Sequence, residues 1–241
     1  MQKRFWLPCI AAYFFSIPFY AIVPNLDMVD TPTAVTLPRA TYDVSFWAYN
    51  DGGILSKAAI GLHDNIYLGV SFDVEKAIGN KPARMNIPGV VAKVKFTDGW
   101  QQFPILIAMG YDSFYTGSEG KQQSDNPFDR VIYGPYAVIT KPLFMLGLEQ
   151  HFHVGVRVPM QPVYEPRNTA MFFAFDFPIG IFVPMVEVER IFFDASRLDK
   201  TLVNIGFRFN LFENLALELN FMLAKNATAN RMLVIEYMSA F

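Results

Sequence analysis

Glu149, His151 and His153 stand at alternate positions and combine a carboxylate with two imidazoles, side chains that ligate transition metals. If the stretch is a strand, the three share one face with neighbouring side chains about 6–7 Å apart. That is wide for a single ion, and no fourth ligand is evident in the sequence. A hydrogen-bonded network is the better reading, so no metal, cofactor or catalytic residue is assigned. A second candidate is Ser113 beside Asp112, which with a histidine would make a hydrolase triad. No G-x-S-x-G elbow surrounds Ser113, and His63 falls in an "HDN" turn. A polar lining explains Ser113 equally well.

All these residues lie in segments of alternating hydrophobicity, the mark of strands with two different faces. In "TLVNIGFRFNL", Val203, Ile205, Phe207, Phe209 and Leu211 alternate with Asn204, Gly206, Arg208 and Asn210. In "NLALELNFMLA", Leu215, Leu217, Leu219, Phe221 and Leu223 oppose Ala216, Glu218 and Asn220. Such runs predict strands over 41–50, 53–62, 65–74, 89–97, 103–115, 130–140, 144–158, 168–177, 181–191, 201–211, 214–224 and 231–241. About ten tilted residues cross a bilayer, whereas strands of globular sheets are usually about 5–6 residues long.

The connections form two interleaved sets. The short ones are "HDN" at 63–65, "DGWQQ" at 98–102, "KPL" at 141–143, "PIG" at 178–180 and "FEN" at 212–214. The longer set is 75–88, 116–129, 159–167, 192–200 and 225–230, with "NDGG" at 50–53 a tight exception. Short periplasmic turns and longer outside loops are the pattern of an outer-membrane barrel. The expected fold is therefore all-β: a transmembrane up-and-down antiparallel β-barrel of about twelve strands over 41–241.

Composition agrees. The 241 residues are 52% hydrophobic and only 17% charged, below the roughly 25% of soluble domains, with mean hydropathy +0.22. Past residue 25 no run approaches the ~18 apolar residues of a spanning helix. Net charge of −2 and a pI near 5.9 leave no electrostatic footprint for nucleic acid. The N-terminal "MQKRFWLPCIAAYFFSIPFYA" combines Lys3 and Arg4 with an apolar stretch and reads as an export signal over 1–21. Phe19 makes a poor cleavage site, leaving an uncleaved anchor as the alternative. The only cysteine, Cys9, lies in that signal, so neither a disulfide scaffold nor a thiolate metal site is expected. Residues 22–40 are expected as a periplasmic N-terminal segment.

With apolar faces toward lipid, the interior takes Asp43, Lys57, Asp73, Lys93, Lys95, Asp112, Glu149, His151, His153, Arg157, Asp176, Glu187, Glu189, Arg208, Glu218 and Glu236. Either these charges pair and plug the lumen, which is the preferred reading, or they line a weakly cation-preferring pore. Trp47, Trp100, Tyr111, Tyr115 and Tyr133 suit core packing or interfacial girdles better than ligand stacking. In the last strand Leu233, Ile235, Tyr237 and Phe241 share a face, resembling the C-terminal insertion signal of outer-membrane barrels, although Ser239 departs from the pattern.

The stretches "PTAVTLPRATYDVSFWAYNDGGILSKAAIGLHDNIYLGVSFDVEKAIG", "IPGVVAKVKF", "FPILIAMGYDS" and "NLALELNF…RMLVIEY" resemble a family of uncharacterised bacterial outer-membrane proteins over residues 31–241. That family is loosely similar to the barrel part of the YjbH-like group, whose name is tied to exopolysaccharide export. The resemblance implies a barrel in the outer membrane and no catalytic residues. The expected function is non-enzymatic, structural or narrow-channel, with a link to envelope polysaccharide. Expected partners are outer-membrane lipids, the barrel assembly machinery, periplasmic chaperones and a polysaccharide. An outer-membrane lipid hydrolase and a soluble periplasmic lipocalin-like carrier are the alternatives.

Overall fold

The computed structural model describes residues 23–100, 103–113, 134–145, 147–158, 160, 169–193, 200–225 and 227–241. The export signal with Cys9, the loop 116–129, Tyr115, Tyr133 and much of 159–167 and 192–200 lie outside the described residues. The strands are β1 (Thr41–Tyr49), β2 (Gly53–His63), β3 (Ile66–Glu75), β4 (Arg84–Met85), β5 (Gly89–Trp100), β6 (Phe103–Asp112), β7 (Gly134–Met145), β8 (Leu148–Arg157), β9 (Ala170–Asp176), β10 (Phe182–Phe192), β11 (Leu202–Phe212), β12 (Leu215–Ala224) and β13 (Asn230–Ala240). β4 is a two-residue rung on the end of β3, at Val74↔Met85 and Glu75↔Arg84. The other twelve pair antiparallel with their sequence neighbours, and β13 returns to β1 with Thr41↔Ala240 through Tyr49↔Met232. The result is a closed antiparallel barrel of twelve strands. Closure leaves no strand edge for lipid to penalise.

The expected alternation sets the two faces. On β11, Asn204, Arg208 and Asn210 are buried while Val203 and Leu211 are exposed. On β12, Glu218 and Asn220 are buried and Leu219 and Leu223 exposed. On β3, Leu68, Val70 and Phe72 point outward between buried Tyr67, Ser71 and Asp73. Phe182 stacks on Phe207 and lies tilted against Phe209 across β10 and β11, with ring centroids 6.1 and 5.1 Å apart. Exposed aliphatic and aromatic side chains outside, with carboxylates and guanidinium groups inside, invert the usual soluble pattern. A soluble carrier does not fit that exterior. Among the described residues no helix is long and apolar enough to cross a membrane.

Three features depart from expectation. "KPL" at 141–143 is no turn: β7 continues through it to Met145, with Pro142 opposite His151. Pairing of β7 with β6 stops at Leu106↔Thr140, so the proline lies where the strand has one partner only, a setting in which a missing N–H is tolerated. On β10 the register to β9 shifts between Val188 and Ile191, and Arg190 adopts φ 57°. This bulge turns both Glu189 and Arg190 inward. The largest departure is the segment expected to lead in from the periplasm. Residues 23–37 run inside the barrel, where Val29, Thr31, Thr33, Ala34 and Leu37 have no exposed surface.

Candidate functional site

The interior segment "VPNLDMVDTPTAVTLPRA" folds as a hairpin. Thr33 N donates to Leu26 O at 3.1 Å, Met28 N donates to Thr31 O at 2.7 Å, and Asp27 bridges Pro32. Pro32 holds Thr31 extended, and the Thr33 hydroxyl donates to Asn25 O at 2.7 Å, pinning one arm to the other. Thr36 Oγ1 donates to Asp64 O at 2.8 Å and Arg39 N to Asp64 Oδ1 at 2.9 Å. Since Asp64 sits in the β2–β3 turn, the second arm leaves at the end of the barrel that carries the short turns. The tip, Val29–Asp30, therefore points toward the long-loop end.

The wall is shaped to receive it. At Gly61 a Cβ would collide with Pro38 O, and at Gly206 it would meet Asn220 and Met185 of the wall as well as Val29 Cγ2 at 2.9 Å. Each apolar cluster of the interior includes residues of the hairpin. Leu26, Val29 and Leu37 pack with Trp47, Tyr67 and Met222; Ala34 packs with Tyr136, Val138 and Phe172; and Met28 packs with Val183 and Met185.

Polar contacts to the hairpin reach it from strands all round the wall. Glu187 on β10 accepts from Asp30 N at 2.9 Å, Thr31 N at 3.2 Å and Thr31 Oγ1 at 2.7 Å. Arg157 on β8 donates to Asp30 O at 2.5 Å. Lys93 on β5, fully buried, donates to Leu26 O at 3.0 Å and Val35 O at 3.2 Å, so one ammonium ties both arms. Arg208 on β11 reaches Asn25 Oδ1 at 3.5 Å and Val23 O at 3.4 Å. Lys57 on β2 pairs with Asp27 at 2.5 Å and lies over the Trp47 ring at 4.6 Å. Burial alone would push the Asp27 carboxyl up, but Lys57, and behind it Lys93 and Arg157, hold it below its ordinary value. Thr140 on β7 accepts from Ala34 N at 2.9 Å.

That last contact reaches the histidines singled out in the sequence. The Asp176 carboxylate accepts from His153 Nε2, so in the neutral imidazole Nδ1 accepts from the Thr140 hydroxyl, 2.8 Å away. His153 then carries its proton on Nε2, facing Asp176 Oδ2 at 3.3 Å, and His151 Nδ1 lies 2.9 Å from Asp176 Oδ1. Proton positions here follow from the donor and acceptor pattern. Asp176 on β9 thus joins both imidazoles in the hydrogen-bonded network expected. Glu149 is exposed at the strand end, 3.6 Å from His151. Gln150, between Glu149 and His151, is buried and donates to Met145 O at 3.0 Å. Among the described residues no His, Cys, Asp and Glu side chains are grouped to hold a metal ion.

Further charges serve the wall itself. Arg208 also bonds Glu218 at 2.5 Å and Glu236 at 2.6 Å. Asn204 Nδ2 bridges Glu187 and Glu189 at 2.6 and 2.9 Å, and Asp73 accepts from Tyr49 and Asn86, each at 2.7 Å. Between Asp27, Asp43, Lys57, Glu218 and Glu236 remains a space of about 20 Å³, room for one water. The hydrolase candidates are kept apart. Ser113 closes a main-chain contact to Val90 N and O at 2.8 and 3.1 Å, at the long-loop end. His63 borders a short turn at the opposite end, its Nδ1 accepting from Asn65 N.

No protein-family model and no curated protein matches the chain. Solved structures do. A KdgM porin aligns with a TM-score of 0.50 and 12% identity over 82% of this chain and 98% of its own. A KdgM porin in complex with disordered oligogalacturonate gives 0.48 and 9% over 82% and 98%. A Rh. blastica porin mutant gives 0.37 and 9% over 80% and 57%. At 12% identity the likeness to the KdgM porin is one of fold. That fold, with the closed sheet and its apolar exterior, is that of an outer-membrane β-barrel.

Proposed function

We propose that the protein is a non-enzymatic outer-membrane channel held closed by its own residues 23–40. The observation that supports this most directly is the fit of lumen to hairpin, in which buried Lys93, Arg157 and Glu187 all direct polar atoms at the segment. On this reading the short turns face the periplasm and outer-membrane lipids surround the apolar belt. The barrel assembly machinery and periplasmic chaperones handle the nascent chain.

The charge of the wall restricts what an opened lumen would pass. Among the described buried wall residues, the acids Asp43, Asp73, Glu75, Asp112, Asp176, Glu187, Glu189, Glu218 and Glu236 outnumber the bases Lys93, Arg157, Arg190 and Arg208. Such an interior attracts cations and passes neutral solutes. Oligogalacturonate, the ligand named with one KdgM porin, carries a carboxylate on each sugar and would be repelled. The exopolysaccharide role implied by the YjbH-like resemblance fits this lumen for an uncharged or cationic glycan. In planar bilayers the full-length barrel should be close to silent. A variant lacking residues 23–36 should conduct, with preference for cations. An assembled truncated barrel that stays silent overturns the channel reading.

A further inference from the structure

The wall grips the hairpin mainly by its backbone. Glu187 accepts the amides of Asp30 and Thr31, Thr140 accepts that of Ala34, Lys93 donates to the carbonyls of Leu26 and Val35, and Arg157 to that of Asp30. These groups are present in any polypeptide with free N–H groups at the right spacing. Side chains of the hairpin add to this grip, among them Asp27 paired with Lys57 and the Thr31 hydroxyl on Glu187. The twelve barrel strands, for their part, close on one another, and the hairpin adds no rung to any of their ladders. It is lodged in the barrel without being part of the sheet.

We propose that the lumen is a binding site for extended polypeptide main chain, with residues 26–35 as its resident ligand and the short-turn end as its mouth. The ligand class is a short hairpin-forming peptide with small or aliphatic side chains, free amides opposite Glu187 and Thr140, and one carboxylate opposite Lys57. The site accepts such a peptide from a separate molecule once the resident segment is gone. The idea rests on the channel reading for one of its two measurements only.

The test uses the barrel lacking residues 23–36 and a synthetic peptide of residues 22–40. Binding is followed by Trp47 emission, since Trp47 lines the space beside Leu26 and Asp27, and by block of conductance. Peptide should bind, and should block only from the short-turn side. N-methylation at Thr31 and Ala34 removes two buried donors while leaving every side chain intact, and should raise the half-saturating concentration at least about tenfold. Replacing Val35 by alanine in the peptide should shift it only a few-fold. Equal binding by the methylated peptide, or no binding of any peptide, overturns the inference. A silent truncated barrel that still binds peptide sinks the channel reading and leaves this site standing. If the truncated barrel does not assemble, the full-length Glu187→Gln variant carries the test. It should show brief openings that added peptide suppresses; openings that peptide leaves unchanged overturn the inference, and an always-silent variant overturns it together with the channel reading.

Discussion

Arg208 and Glu187 stand on adjacent strands, β11 and β10, of the same lumen, yet their charges are directed at different partners. Arg208 is held chiefly by Glu218 and Glu236 of β12 and β13, so its salt bridges join staves of the barrel. Glu187 faces the other way, to two amides and a hydroxyl of the hairpin. A buried charged group needs its desolvation offset by close partners, and both residues have them. Arg208 finds them chiefly within the wall, with weaker contacts to Asn25 and Val23, and Glu187 chiefly with the occupant, with Asn204 its partner in the wall. The interior is thus two polar systems sharing one space, the first holding the barrel together and the second holding it shut.

The sharpest way to break this division is Arg208→Ala. It leaves two carboxylates buried side by side without their cation, a loss on the order of 3–5 kcal/mol. The heat-induced mobility shift on a detergent gel should move to markedly lower temperature, and assembled protein should fall. Next comes Glu187→Ala, which leaves the Asp30 and Thr31 amides unpaired at a cost of about 1–3 kcal/mol. Here the barrel should keep nearly all its heat resistance while bilayer recordings show openings. Equal loss of heat resistance in both variants would erase the distinction between wall and occupant.

Thr140→Val removes the acceptor of Ala34 N–H and should cost about 1–2 kcal/mol, giving rarer openings than Glu187→Ala. The smallest effect is that of pH on Asp27. Its folded-state pKa lies below the ordinary aspartate value, so its pairing with Lys57 contributes fully above that ordinary value and fades only as pH falls through the lower folded one. Conductance recorded from pH 7 down to about pH 4 should therefore show no opening attributable to this pair. Opening that begins near pH 6 and persists in an Asp27→Asn variant would assign the acid response elsewhere.

The wall was legible in the sequence and the occupant was not. Alternation placed Asp43, Asp73, Lys93, Asp112, Arg157, Asp176, Glu187, Glu189, Arg208, Glu218 and Glu236 inside, and all are buried. This worked because a strand's period of two is a property of single segments. A proline was read as a turn at Pro142 because pairing on each side of a strand is not local information. The segment 22–40 carries no strand periodicity and was expected as a periplasmic N-terminal segment. Its position is set by Lys93, Thr140, Arg157 and Glu187, which lie scattered along the chain and converge only when the sheet closes. The pairing of His153 with Thr140 was hidden for the same reason, since Thr140 and His153 meet only through the register of β7 on β8.

The hairpin form of the occupant has a topological consequence. The described segment turns at Val29–Asp30, and its second arm leaves by the mouth where Thr36 and Arg39 meet Asp64. Its first arm runs antiparallel to that one and so heads for the same mouth. No part of it passes from one end of the barrel to the other. A single strand running through the lumen could be cleared only by sliding its whole length past every constriction. A loop pushed in from one side comes out by a straight pull on either leg, with no free end to be threaded. Withdrawal and return therefore need break only the contacts along the hairpin, while every rung of the surrounding sheet stays in place.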